Sequence, residues 1–190
     1  MTTNVLIVGV GGQGILLAGK LLAAAAMRAG HAVKLSEVHG MAQRGGSVVT
    51  HVRYGPQVHS PLVEPGEADA IVAFERLEAL RWLHYLKAGG SLVINAVTIP
   101  PLTVLIGQAS YPADIRAQVE AAATAVWVPA ARLATQAGNG RAQNVLLMGV
   151  LARRLDLLTL ESWLEAVADC VPPQTRAVNA AAFSSGFHLD

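Results

Sequence analysis

Charged residues are scarce in this chain. They make up 14% of its 190 residues, compared with roughly 25% in an average soluble domain. The formal net charge is only +1, and no run of Lys and Arg occurs anywhere in the sequence. Domains that bind nucleic acid or acidic membranes carry a basic patch or stripe, so we expect neither partner. The shortage of charge predicts instead that another protein covers part of the surface.

Cysteine is almost absent, since Cys170 is the only one. One cysteine excludes an intrachain disulfide and cannot by itself hold an iron–sulfur cluster or a structural zinc ion. The simplest compartment is therefore the reducing cytoplasm. No Lys or Arg precedes Lys20, so the apolar start of the chain lacks the basic segment of an export signal, and glycines interrupt it too often for a membrane helix.

What the chain does contain is a regular alternation of short apolar runs and Leu- or Ala-rich segments. The run Val5 to Val8 is typical of a buried parallel strand, and the Leu- and Ala-rich segment 15–29 that follows predicts a helix stopped at Gly30. The same reading predicts further strands at 32–37, 47–54, 69–74, 91–95 and 125–128, and helices at 76–86, 113–123, 143–155, 159–168 and 175–187.

This pattern predicts one doubly wound, Rossmann-like α/β domain over residues 1–190, with a mainly parallel sheet, a β-hairpin and C-terminal helices. The alternation in segment 47–54 places Val48, Thr50 and Val52 on one face of a strand. We expect the hairpin to close near Gly55 and Pro56, with His59 on the return strand.

A glycine-rich turn follows the first predicted strand. Its sequence fits the pattern G-x-G-x-x-G between a strand and a helix, with the candidate residues Gly9, Gly11, Gly12, Gln13 and Gly14. Glycines allow a tight turn and close approach to a ligand, and unpaired N–H groups at a helix start favour an anion such as pyrophosphate. A tight turn that binds nothing remains the alternative.

A second candidate site lies at the end of the second predicted strand. Glu37 stands where a dinucleotide enzyme places its ribose-binding acid, and it is followed by a loop crowded with glycine and polar side chains. The candidates in this loop are His39, Gln43, Arg44, Gly45 and Gly46. Arg44 could bind phosphate or carboxylate and His39 could exchange a proton. The alternatives are a solvated or salt-bridged arginine and, with more weight, a hydrogen-bonded structural histidine.

Later parts of the chain offer weaker candidates. Asn144 opens a predicted helix, where it is either a ligand-site residue or simply a helix cap or an interhelix hydrogen bond. No two carboxylates have a spacing that indicates an acid/base pair, and the G-x-S-x-G turn of a serine hydrolase is absent. No catalytic residue and no metal site is therefore assigned to this chain.

Three segments together resemble a known family. The turn at 9–14, the segment Ser36-Glu-Val-His-Gly-Met-Ala-Gln-Arg-Gly-Gly-Ser47 and the later Asn144-Val-Leu-Leu-Met-Gly149 look like the gamma domain of 2-oxoacid:ferredoxin oxidoreductases, in particular the small subunit of the indolepyruvate type. The resemblance covers nearly the whole chain, and the segment from Glu37 to Ser47 is its most specific part.

The resemblance implies oxidative decarboxylation of an aryl 2-oxoacid such as indolepyruvate to its acyl-CoA, with electrons passing through iron–sulfur clusters to ferredoxin. This chain has no Gly-Asp-Gly of the thiamine-diphosphate/magnesium motif and one cysteine. Thiamine diphosphate, magnesium and the clusters are therefore expected on a large partner subunit. By the same resemblance, the glycine turn would face a phosphate-bearing ligand such as coenzyme A or a partner loop, and Gln43 and Arg44 would close a shared active site.

Two other functions stay open from the residues alone. The glycine turn and Glu37 also suit a stand-alone NAD-dependent dehydrogenase, although fewer than 50 residues remain for a substrate domain. A non-enzymatic nucleotide-binding assembly module is the third possibility. In isolation the chain could form a homodimer through the apolar surface that a partner would otherwise cover.

Overall fold

A computed structural model describes residues 1–39 and 45–189, with only the backbone described at His39. Within these residues the chain forms one six-stranded sheet. Its strands are β1 (Thr3–Val10), β2 (Ala32–His39), β3 (Ser47–Gly55), β4 (Ala68–Ala73), β5 (Leu86–Asn95) and β6 (Ala125–Val128). All six predicted strands are present, and their bounds agree with the prediction to within about two residues except at the start of β5.

The helices that flank this sheet are α1 (Ile15–Arg28), α2 (Arg76–Trp82), α3 (Leu102–Leu105), α4 (Ile115–Ala122), α5 (Ala130–Gln136), α6 (Gln143–Leu155), α7 (Leu160–Cys170) and α8 (Arg176–Phe187). The prediction for α6 agrees with the structure at both ends. The short helices α3 and α5 are additions that the sequence reading missed. Among the described residues, no helix combines the length and the apolar character needed to cross a bilayer.

The strands lie in the order β2-β3-β1-β4-β5-β6. Strands β1, β4, β5 and β6 are parallel to one another, whereas β3 runs antiparallel to both of its neighbours, β1 and β2. The chain leaves β1 towards one side of the sheet and later returns on the other side with β4. The predicted fold class, a doubly wound and mostly parallel α/β sheet with a hairpin, is confirmed.

The predicted position of the hairpin was wrong. Strand β3 pairs with β1 from Val10↔Ser47 to Thr3↔Tyr54 and with β2 from His39↔Val48 to Ala32↔Gly55. Both edges of β3 are therefore occupied, and no edge is left for a return strand carrying His59. The hairpin instead joins β2 to β3 through residues 40–46.

The start of β5 also differs from the prediction. The helix expected over 76–86 ends at Trp82, a 3₁₀ turn covers Leu83–Tyr85, and β5 begins at Leu86. Pairing with β4 then jumps from Ala68↔Leu86 to Ala70↔Ser91. The glycines at 89 and 90 therefore form part of an irregularity within the strand, with φ +76° at Gly89, rather than the end of a helix.

Apolar side chains cover both faces of the sheet. One face packs against α1, α5, α6, α7 and α8, and its largest buried side chains include Trp163 and Phe183. The other face packs against α2 and α4 through residues such as Ala79, Ile115 and Val119. The alternation predicted for β3 is confirmed, because Val48 and Val52 lie on the first face and Val49 on the second.

Candidate functional site

The glycine turn connects β1 to α1 at the carboxyl edge of the sheet. Gly12 has φ +100° and Gly14, the N-cap residue of α1, has φ +81°. Both values lie in the left-handed region, which costs other L-residues roughly 1–2 kcal/mol. No atom of the described residues lies within 4 Å of the position that a Cβ would occupy on Gly12, so these residues leave the turn open at that point.

Gln13 holds this turn against the neighbouring strand. Its Oε1 accepts a hydrogen bond from Val10 N at 2.7 Å, and its Nε2 donates one to Phe74 O, also at 2.7 Å. Phe74 follows β4, so the side chain joins the ends of β1 and β4. The junction of β1 and β4 is the switch point of the sheet, where the order of the strands reverses. Open α/β sheets bind their ligands at this point. The amide of Gln13 is therefore engaged within the protein.

A cleft of about 400 Å³ opens beside the turn. It is lined by Gly11, Gly12, Gly14, Ile15, Leu16, Glu37 and Val48. The structure thus brings Glu37 and the glycine turn, predicted separately from the sequence, to the walls of one cleft. Strand β3 separates β2 from β1, so Glu37 lies two strand spacings, about 10 Å, to the side of β1.

The first turn of α1 presents hydrogen-bond donors near this cleft. No described residue accepts a hydrogen bond from the backbone N–H groups of Ile15, Leu16 and Leu17. These groups and the helix dipole favour negative charge. Glu37 is the one charged side chain among the described lining residues, so the cleft combines a donor-rich helix start with a carboxylate on another wall.

Asn144 lies beside the same helix start. It occupies the first turn of α6, is only 8% exposed, and its Oδ1 accepts a hydrogen bond from Val145 N at 2.9 Å. Its Nδ2 lies so close to Gly14 that a Cβ at Gly14 would overlap with it. The preceding residue, Gln143, accepts a hydrogen bond from Asn95 at the end of β5. The beginnings of α1 and α6 are therefore neighbours at the carboxyl edge.

A buried carboxylate at Glu75 organises the loops that follow β4 and β5. Glu75 is 1% exposed and caps α2, because its Oε2 accepts hydrogen bonds from Leu77 N and Glu78 N. Its Oε1 accepts hydrogen bonds from Ile99 N at 3.1 Å and from the Tyr111 hydroxyl at 2.5 Å. Burial and the neighbouring carboxylate of Glu75 raise the pKa of Tyr111 to about 12.

A second buried carboxylate, Glu78, reaches towards the hairpin. It accepts hydrogen bonds from the Ser47 hydroxyl at 2.5 Å and from Arg81 at 2.6 Å, and it is 1% exposed. Sequence reasoning missed both glutamates, because a carboxylate is seldom buried unless it is paired. The sequence does place Glu75 between the buried strand β4 and the helix α2, which is a usual position for a helix cap. This position could have identified Glu75 as a structural residue.

The remaining predicted residues are distributed around this edge. A Cβ on Gly9 would lie 2.8–2.9 Å from Gln13, Phe74 and Ile15, so its role here is close packing. Gly46 accepts a hydrogen bond from Gly11 N at 2.9 Å, and Gly45 has φ +79°. His39 ends β2. Gln43 and Arg44 lie outside the described residues, so the predictions for them remain predictions.

A larger cavity of about 860 Å³ lies away from the glycine turn, at the amino-terminal edge of β5 and β6. Its lining includes Leu83, Lys87, Gly90 and the C-terminal end of α4. No candidate residue from the sequence lines it, and the amino-terminal edge of such sheets is not the one that usually binds ligands. We therefore take the smaller cleft at the switch point as the candidate functional site.

The fold and the site together define a doubly wound α/β domain whose glycine turn opens onto a cleft at the switch point. The chain belongs to the pyruvate ferredoxin/flavodoxin oxidoreductase family, whose sequence profile matches residues 4–189. The resemblance inferred from the three sequence segments is thereby confirmed.

Individual relatives cover almost the whole chain. It is 45% identical over 188 residues to the indolepyruvate oxidoreductase subunit IorB of Thermococcus kodakarensis, covering 96% of this chain and 93% of that protein. It is 30% identical to the 2-oxoglutarate synthase subunit KorC of Methanothermobacter thermautotrophicus, covering 96% and 92% of the two chains. The 2-oxoglutarate:ferredoxin oxidoreductase of Magnetococcus marinus, solved with 2-oxoglutarate, coenzyme A and succinyl-CoA bound, has the same fold. That match has a TM-score of 0.72 at 20% identity and covers 98% of this chain and 30% of that one.

Proposed function

We propose that this chain is the small, gamma-type subunit of an indolepyruvate:ferredoxin oxidoreductase, which oxidatively decarboxylates indolepyruvate or a related aryl 2-oxoacid to its acyl-CoA. The observation that carries this proposal is the 45% identity to an indolepyruvate oxidoreductase subunit over 96% of the chain. Identity to the 2-oxoglutarate synthase subunit is lower, at 30%, which favours the aryl substrate within the family. The family match over residues 4–189 supports one domain spanning 1–190.

The chain needs a larger partner for this chemistry. Its single cysteine cannot supply the four thiolates of an iron–sulfur cluster, and the described residues contain no group of three potential metal ligands. We assign thiamine diphosphate, magnesium and the clusters to a large subunit, which passes electrons to ferredoxin in the cytoplasm. In the Magnetococcus marinus enzyme the equivalent fold makes up 30% of a longer chain, which supports a partner of that kind.

An exposed apolar patch supports the same partner. Leu102, Leu105 and Ile106 are 68%, 69% and 56% exposed, and they follow β5 on the side of the sheet that carries the candidate site. Contiguous exposed apolar side chains are typical of surfaces that bind another protein. Without its partner, the chain would be expected to associate with itself through this patch.

The candidate site residues take their roles from this arrangement. Gly11, Gly12 and Gly14 of the glycine turn and the segment from Glu37 to Gly46 would face the active site shared with the large subunit, and coenzyme A would bind there. Gly9 and Gln13 would hold the turn in place. Gln43 and Arg44 would help to close that site, Arg44 through its guanidinium group. Asn144 lies beside the turn and belongs to the same region.

Purification from the native cell tests the proposal directly. Affinity-tagged chain should co-purify with a large iron–sulfur, thiamine-diphosphate protein, and the complex should reduce ferredoxin or a viologen dye only when indolepyruvate and coenzyme A are both present. Pyruvate and 2-oxoglutarate, tested at the same concentration, report the substrate preference. A chain that purifies with a partner lacking thiamine chemistry would instead support the non-enzymatic assembly module.

Arg44 provides a sharper test of the shared site. In the assembled complex, Arg44→Ala should weaken coenzyme A binding if its guanidinium contacts a phosphate, while Arg141→Ala, an exposed arginine on the turn before α6, should not. Unchanged affinity in Arg44→Ala would remove this residue from coenzyme A binding without affecting the rest of the proposal.

One observation favours a second function. Glu37 lines the same cleft as the glycine turn, and an acid beside a glycine turn is also a feature of NAD-binding domains, although there the acid ends the strand adjacent to β1 and here β3 lies between them. A stand-alone NAD-dependent dehydrogenase predicts tight NADH binding by the chain alone, which fluorescence titration measures. Under the main proposal, NADH binds weakly and supports no dye reduction.

A further inference from the structure

Strand β2 forms one edge of the sheet, and its outer side has no partner among the described residues. The strand pairs with β3 without a register shift, from Ala32↔Gly55 to His39↔Val48, and β3 is its only neighbour in the strand order. No described residue forms a backbone hydrogen bond with its outer side. A long edge strand without a bulge or a proline is a template for pairing with another strand.

The protection that natural edge strands carry is reduced to one lysine here. Val33 and Leu35 pack against the core on the α1 side of the sheet, so Lys34 lies on the opposite face, where it is exposed. A side chain on that face leaves the backbone at the edge accessible. The other edge strand, β6, is only four residues long, so β2 provides the longer open edge.

Exposed apolar side chains of α1 accompany this edge. Leu16 is 42% exposed and Met27 is 59% exposed. Leu16 lines the candidate cleft together with Glu37 of β2, which places it on the β2 side of the helix. Positions 16 and 27 are separated by almost three whole helical turns. Met27 therefore lies on the same side, at the end of α1 that leads into the start of β2.

We propose that the free chain forms a two-fold symmetric dimer in which β2 of one copy pairs antiparallel with β2 of the second, so that the two sheets become continuous. Antiparallel pairing sets the carboxyl end of β2 in one copy against its amino end in the other. Leu16 of each copy then lies beside Met27 of the other, and all four exposed side chains are covered. This inference goes beyond the proposed function, because it concerns the chain alone.

The surface is large enough for a specific dimer. The eight residues of β2 give an edge of about 26 Å, and the sheet with α1 on it is about 20 Å thick. The interface is therefore about 500 Å² per copy and about 1,000 Å² in total, which reaches the lower end of the range for specific complexes. The formal net charge of +1 means that two copies repel each other only weakly.

The two-fold arrangement favours a second copy over a foreign strand. One surface supplies both halves of the apolar contact, at the two ends of the same strand, so it is complementary to itself. Pairing occupies the open β2 edge in both copies, which stops this association at the dimer. In the dimer, Met27 of the second copy borders the candidate cleft next to Leu16 and shields it on the β2 side.

The first measurement is sedimentation velocity of the full-length chain over a wide range of concentration, which should show a monomer–dimer equilibrium. Met27→Lys places a charge in the covered contact and should raise the Kd of the dimer at least about tenfold, equivalent to about 1.4 kcal/mol. Leu105→Lys is the matched control, because Leu105 is 69% exposed in the apolar patch that follows β5, and it should leave the Kd unchanged.

The second measurement tests the orientation of the two copies. In a Cys170→Ser background, which removes the native cysteine, a mixture of Leu16→Cys and Met27→Cys chains should be crosslinked by a short bismaleimide. The Leu16→Cys chain alone should not be, because the two copies of residue 16 lie at opposite ends of the joined strands. Crosslinking of Leu16→Cys with itself and not in the mixture would overturn the antiparallel arrangement.

The remaining outcomes identify a different occupant. If Leu105→Lys dissociates the dimer and Met27→Lys does not, the patch after β5 is the interface and the proposal is refuted. If the chain is monomeric at all concentrations and the β2 amides gain protection from hydrogen exchange only in complex with the large subunit, a strand of that subunit covers the edge and the dimer is refuted. Neither result changes the assay of indolepyruvate oxidation.

Discussion

The Ser47 hydroxyl donates a 2.5 Å hydrogen bond to Glu78, which joins the first residue of β3 to the first turn of α2. Ser47 is also paired with Val10, the last residue of β1. One buried carboxylate thus holds the end of the hairpin connection next to the glycine turn. The neighbouring Gly46 reinforces this position through its hydrogen bond with Gly11.

Removing the Ser47 hydroxyl should destabilise the fold. A hydrogen bond to a charged group contributes about 1.5–3 kcal/mol, and Ser47→Ala leaves the buried Glu78 with Arg81 alone. We expect the free energy of unfolding in urea to fall by this amount. Ser60→Ala, at an exposed serine, is the control and should change stability by less than about 0.5 kcal/mol. Equal effects at the two positions would show that the Ser47–Glu78 bond contributes nothing measurable.

Tyr111→Phe should loosen the loop that Glu75 holds. The substitution removes the hydroxyl that donates to Glu75 Oε1 and leaves the ring, so we expect a loss of about 1.5–3 kcal/mol. Tyr85→Phe is the matched control, since no described hydrogen bond involves the Tyr85 hydroxyl. Thermal unfolding of the two variants measures the difference. A Tyr111→Phe variant as stable as Tyr85→Phe would contradict the role given to Glu75.

Gly14→Ala should be more harmful than Gly12→Ala, although both residues have positive φ. Each substitution costs roughly 1–2 kcal/mol of backbone strain, but only at Gly14 does the new Cβ overlap with Asn144. Overpacking adds about 1–3 kcal/mol. Chemical denaturation measures the free energy of unfolding of both variants, and the loss should be larger for Gly14→Ala.

A double substitution isolates that overlap. In the Gly14→Ala background, Asn144→Ala removes the atom that clashes, so its effect should be smaller than in the wild type or even stabilising. Strictly additive effects of the two substitutions would indicate that the side chain of Asn144 moves away from the introduced methyl group at no cost.

His51 should make stability depend on pH. It is 5% exposed, its Nδ1 accepts a hydrogen bond from Val63 N, and burial lowers the pKa of its imidazole below the usual 6.5, against an opposing effect from Glu64. The folded state therefore prefers neutral His51, so its contribution is complete above pH 6.5 and is lost as the pH falls through the lowered pKa.

The pH effect has a clear control. His51→Asn keeps an acceptor for Val63 N but cannot titrate, so the loss of unfolding free energy between pH 7.5 and 5.5 should be smaller than in the wild type. His59→Asn, at an exposed histidine, should retain the wild-type dependence. Identical pH profiles for His51→Asn and the wild type would show that another group causes the dependence.

The order of strands and helices could be predicted from the sequence because local patterns specify it. The run Val5 to Val8 and the alternation through Val48 and Val52 give strands, and α6 begins and ends where its composition predicts. Pairing could not be predicted in the same way, since it depends on which strand edges are free. The Gly55-Pro56 turn chemistry suggested a hairpin that β1 and β2 exclude by occupying both edges of β3.

The candidate site was predictable where it depends on backbone conformation. Glycines after β1 and an acid at the end of β2 match the sequence pattern of nucleotide-binding α/β domains. The structure brings Gly12 and Glu37 to one cleft. The orientation of Gln13 and the burial of Glu75 and Glu78 were not predictable, because each depends on partners distant in sequence. Phe74, Tyr111 and Ser47 supply those partners.

Strands β2 and β3 keep their pairing independently of the connection between them. Strand β3 is paired along eight residues of β1 and eight of β2, so its register does not depend on the connection at residues 40–46. A different sequence at residues 40–46 should therefore leave the pairing of β3 with β1 and β2 unchanged. Chimeras that replace residues 40–46 alone should keep the stability of the sheet, so that any change in activity can be assigned to the connection.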